Sequence, residues 1–73
     1  MKITQEAISK IIDVNKLLRK EFAGRQWVEF GLCDNAGFEV TVGQGRSTVY
    51  HSVPSSVMEK EVSEIFDYIV GVV

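Results

Sequence analysis

A two-residue alternation runs through the middle of the chain. It sets Val28, Phe30 and Leu32, then Phe38, Val40 and Val42, then Val49, His51 and Val53 each on one side of the backbone. Successive side chains of a strand point to opposite faces, so this period predicts three strands, each with one covered face. The segments on either side change period. Ala7, Ile8, Ile11, Val14, Leu18 and Phe22 recur at helical spacing, as do Met58, Val62, Ile65, Phe66, Ile69 and Val73. The pattern predicts a single α+β domain over residues 1–73, in the order α-β-β-β-α. Its three-stranded antiparallel meander is packed on one face by two helices.

Local signals place the boundaries. Thr4 can cap the first helix, with Ile3 stapled onto Ile8, and Gly24 suits its end because it tolerates positive φ. Ile12 and Leu17 lie on the flanks of the apolar stripe and make it wider than one contact needs. The first strand is expected from Gln26 to Cys33, the second from Phe38 to Val42 and the third from Ser47 to Val53. Asp34-Asn35-Ala36-Gly37 and Gly43-Gln44-Gly45-Arg46 have the composition of the turns between them. Pro54 stops the third strand. Ser56-Val57-Met58-Glu59 reads as a capping box, so the second helix is expected to begin there.

An apolar share of 45% suffices for a compact core in 73 residues. Cys33 is the sole cysteine, which excludes an intrachain disulfide and a cysteine-based zinc site and makes a reducing cytoplasm the expected setting. No signal peptide or membrane span is expected, because no apolar run is long enough. The net charge is −2, but it is unevenly spread. Residues 1–25 carry Lys2, Lys10, Lys16, Arg19, Lys20 and Arg25 against Glu6, Asp13 and Glu21. Residues 26–73 carry Arg46 and Lys60 against seven acids. Such asymmetry bears on partners, not on fold.

Candidate chemistry is sparse. Cys33 and His51 would need to meet before they could act as nucleophile and base, and Cys33 at a strand end reads as structural. His51 is the only histidine and has no ligand-spaced carboxylates around it, so no metal or cofactor is expected. Gly43-Gln44-Gly45-Arg46-Ser47-Thr48 has the flavour of an anion-binding loop. A strand follows it rather than a helix N-terminus, so a hairpin turn is the plainer reading. Glu29 and Glu39 share the outer strand face, but a catalytic carboxylate pair needs a cleft.

The outer face of the sheet carries Trp27 and Tyr50, with Glu29, Glu39 and Thr41 between them. Tryptophan and tyrosine are enriched at binding hot spots. The expected function is therefore a small non-enzymatic protein-binding module. It would use Trp27, Glu29, Glu39, Thr41 and Tyr50, together with Glu64 and Asp67 on the acidic face of the second helix. Its size suits a regulator such as an accessory or inhibitor protein of a phage or other mobile element. The alternative is a nucleic-acid binder using Lys16, Arg19, Lys20 and Arg25. A homodimer is compatible with the first reading. The strand edges also invite pairing, since no run of charged residues guards them.

Overall fold

A computed structural model describes residues 4–33 and 37–73. The elements run α1 (Gln5–Glu21), β1 (Trp27–Cys33), β2 (Gly37–Gln44), β3 (Ser47–Val53), a 3-10 turn η1 (Ser55–Glu59) and α2 (Val62–Val72). The strands form one antiparallel sheet in the order β1-β2-β3. Both helices pack with this sheet, so the molecule is the α+β meander with a helical layer that the alternation predicts.

Each element follows from its residues. Thr4 caps α1, its Oγ1 accepting from the Ala7 N–H at 3.1 Å. Gly24 takes φ +76° just past the C-cap residue Phe22, where a side chain would be strained. Ile3 of the expected staple and Asp34, Asn35 and Ala36 of the first turn lie outside the described residues, whereas Gly37, expected in that turn, is the first residue of β2 and pairs with Cys33. The β2–β3 connection is tighter than the composition suggests. β2 runs on to Gln44, which pairs with Ser47, and only Gly45-Arg46 turn the chain. Gly45 has φ +63°, as the first position of a two-residue hairpin requires.

The core is the set the alternation points to, trimmed at its ends. Val14 and Leu18 of α1, Phe30 and Val40 of the sheet, and Ile65 and Ile69 of α2 are fully buried. Val28, Phe38, Val42 and Val53 complete the inner face of the sheet. Ala7, Ile11, Val62, Phe66 and Val73 are partly buried against this set, and three expected core positions are exposed. Ile8 is 40% exposed, Leu32 49% and Val49 48%. Leu32 and Val49 belong to the inward register but lie on the two edge strands, in rows whose central member, Phe38 or Val42, is buried, and Ile8 lies in the second turn of α1.

The second helix also starts later than expected. Ser56-Val57-Met58-Glu59 forms the 3-10 turn, Lys60 is extended (φ −83°, ψ 169°), and α2 begins at Val62. Val57 and Met58 still reach the core, but from the turn. The cause is a side chain from far away in sequence. Lys10 Nζ donates to the carbonyls of Met58 and Lys60, each at 2.9 Å. Those oxygens are thus satisfied without continuing the helix, and the chain is free to extend and restart. Glu64 Oε1 accepts from the Glu61 N–H at 3.4 Å at the new start.

Candidate functional site

Two aromatic side chains stand on the face of the sheet opposite the helices. The register puts Trp27, Gly43 and Thr48 in one row across the strands, Glu29, Thr41 and Tyr50 in the next, and Gly31, Glu39 and Ser52 in the third. All of these belong to the outward register, since Val28, Phe30, Val40 and Val42 are buried on the other side. Antiparallel sheets tolerate one wet face, and here that face carries a polar field with large rings at two places. Trp27 is 55% exposed and Tyr50 63%.

The tryptophan has a seat. A Cβ at residue 43 would lie 3.1 Å from Trp27 Cε3 and 3.6 Å from its Cβ, so the ring lies across Gly43. An aromatic side chain covering a glycine on the neighbouring strand hides exposed backbone and holds the ring in place. Tyr50 stands two strands away, with Thr41 and Glu29 in its row. The Glu29 and Glu39 carboxylates are diagonal neighbours, because Glu29 faces Thr41 and Glu39 faces Gly31. The patch combines apolar area with hydrogen-bonding and acidic groups.

Other expected site residues lie elsewhere. Glu64 and Asp67 are exposed on α2, in the helical layer, so the sheet separates them from Trp27 and Tyr50. Cys33 pairs with Gly37 in the outward register, whereas His51 pairs with Val40 in the inward register. The two are on opposite faces of different edge strands, and no nucleophile–base pair forms. The glycine-rich segment is part of the ladder, with Gly43 facing Thr48 and Gln44 facing Ser47, so its backbone does not form a concave anion cradle. Among the described residues no three acidic, histidine or cysteine side chains gather as metal ligands.

The basic set divides. Lys16, Arg19 and Lys20 are exposed, and their spacing places them on one side of α1. Arg25 is engaged locally. Its guanidinium bonds the Glu21 carbonyl, lies 3.2 Å from the Glu21 carboxylate and stacks 5.2 Å from the centre of the Phe22 ring. Arg19, Arg25, Trp27 and Glu29 line an open groove of about 450 Å³ between the end of α1 and the start of β1.

One structurally decisive residue escapes pattern reading. Asn15 Nδ2 donates to the Phe30 carbonyl at 2.8 Å, and the Phe30 N–H donates to Asn15 Oδ1 at 2.9 Å. A single amide side chain thus acts as a short neighbouring strand and occupies the outer edge of β1. That edge was expected to be open, and at Phe30 it is not. An asparagine in the middle of an amphipathic helix, where its propensity is poor, was the available signal.

These features define a small two-layer α+β protein in which, among the described residues, one sheet face is uncovered. No protein-family model, curated protein or solved structure matches the chain. No described helix is long and apolar enough to cross a membrane.

Proposed function

We propose that this protein is a non-enzymatic binding module that docks on another protein through the outer face of its sheet. The observation that carries the reading is the exposure of Trp27 and Tyr50 on the sheet face that no helix covers among the described residues. Rigid aromatic side chains supply contact area at low entropic cost, and Gly43 already holds one of them. Glu29 and Glu39 beside them suit a partner surface with an apolar slot rimmed by basic groups or hydrogen-bond donors. Glu64 and Asp67 form a separate acidic patch that a large partner reaches only by wrapping around the domain. A cytoplasmic regulator fits this design, for example an accessory or inhibitor protein of a phage. Size and compactness support that last step, not a motif.

The test is alanine substitution with folding monitored in parallel. Trp27→Ala and Tyr50→Ala should each weaken partner binding, by about 30-fold for a hot-spot loss of about 2 kcal/mol. The circular dichroism spectrum should not change. Undiminished affinity in both variants overturns the proposal.

The second reading, nucleic-acid binding, is favoured by the exposed trio Lys16, Arg19 and Lys20. It requires affinity that falls steeply with salt and is lost in Lys16→Ala/Lys20→Ala.

A further inference from the structure

The two edges of the sheet are treated differently. Phe30 spends both its N–H and its carbonyl on Asn15, so both point away from β2. Hydrogen-bonding direction alternates along a strand and across each antiparallel pair. The ladder to β2 is therefore made by Glu29 and Gly31, and Phe38, Val40 and Val42 turn the other way, to Val53, His51 and Val49. The backbone groups of Thr48, Tyr50 and Ser52 then point outward from the far edge. Among the described residues nothing bonds them, and all three residues are exposed. The edge of β1 is plugged at Phe30, its middle residue, while the edge of β3 carries none of the usual guards. Ser47–Val53 contains no lysine, no carboxylate, no proline and no bulge.

The same strand is complementary to itself. If a second β3 runs antiparallel with Tyr50 opposite Tyr50, every outward group finds a mate. Tyr50 exchanges both backbone bonds with its counterpart, and Thr48 and Ser52 exchange theirs with Ser52 and Thr48 of the other copy. On the inner face Val49, 48% exposed in the single chain, comes to lie beside His51 of the other copy. On the outer face the two tyrosines become neighbours, flanked by hydroxyl pairs. No like charges are brought face to face, since His51 meets Val49. A two-fold contact of this kind closes on itself and leaves no further edge exposed on β3.

We infer that two copies of this chain pair through their β3 edges, antiparallel about Tyr50, and join their sheets into one of six strands. The inference is independent of the partner protein proposed above. It leaves Trp27, Glu29 and Thr41 uncovered, brings two such faces side by side and sets the two Tyr50 rings next to each other at the seam.

The test is amide hydrogen exchange by NMR on the full chain, combined with light scattering, over a dilution series. Dimer mass and slow exchange at Thr48, Tyr50 and Ser52 should appear together on concentration. Those three amides should speed up at least about tenfold on dilution to monomer, while Val49 and His51, bonded within the sheet, should change far less. Thr48→Pro should give a monomer with an unchanged fold, because its lost N–H faces outward and its ring blocks the second strand. Should that variant fail to fold, the exchange pattern of the natural chain still decides. A monomer at about 1 mM overturns the inference and leaves the edge to a strand from another protein. A dimer in which the three amides exchange freely overturns it equally.

Discussion

Asn15 shows how much one side chain can decide. Its amide satisfies both backbone groups of Phe30, a fully buried core residue, and it fixes the distance between α1 and β1. Asn15→Ala strands an N–H and a carbonyl in a partly buried setting, and we expect it to cost about 2 kcal/mol. A urea titration would read this as a lower midpoint with an unchanged slope. A variant as stable as the natural chain would show that water replaces the amide without loss. Gly43 plays the matching role on the outer face, where its missing side chain gives Trp27 its seat. Neither role was legible in the sequence. A helical asparagine and a strand glycine become informative only once the register brings Phe30 and Trp27 beside them.

At the scale of elements, the alternation was fully legible for the strands. Val28 and Phe30, Phe38, Val40 and Val42, and Val53 are buried as the period requires, and the short turns made the meander unavoidable. Leu32, Val49 and Ile8 depart because periodicity states which way a residue faces, not whether the opposing layer covers it. The start of α2 departs from the local pattern for a different reason. The Ser56–Glu59 spacing is a valid local helix signal, but Lys10 in α1 takes the carbonyls of Met58 and Lys60 and ends the turn there. A contact across 48 residues cannot be seen in a local pattern. The two starts have different energetic consequences. Ser56→Ala should change stability by less than about 0.5 kcal/mol, since Ser56 is exposed and caps nothing. Glu64→Ala should cost about 1 kcal/mol, since Glu64 closes on Glu61 and meets the positive end of the α2 dipole. Thermal melts of the two variants would separate these expectations. Equal losses would return the helix start to Ser56.

For the whole molecule, one sheet with helices on one side leaves a second side that must be wet or occupied. The chain puts Trp27 and Tyr50 there, with Glu29, Glu39 and Thr41 between, and keeps its buried polar positions empty among the described residues. The sheet-face part of the candidate site was legible because the strand period separates the faces. That Glu64 and Asp67 lie in the other layer was not, because the packing of α2 against the sheet follows from the tertiary fold. Two of the basic side chains in the first part of the chain are engaged within the fold. Lys10 is held by backbone carbonyls and Arg25 by Glu21, which leaves Lys16, Arg19 and Lys20 as the exposed basic group on α1. The account thus rests on the aromatic sheet face as the docking surface. The most direct measurement compares three baits in parallel capture from source-cell lysate with nuclease present: the natural chain, Trp27→Ala/Tyr50→Ala and Lys16→Ala/Lys20→Ala. A protein retained by the first and third baits and lost from the second is the expected result. Retention by the aromatic variant and loss from the lysine variant would contradict the account and move the function to α1.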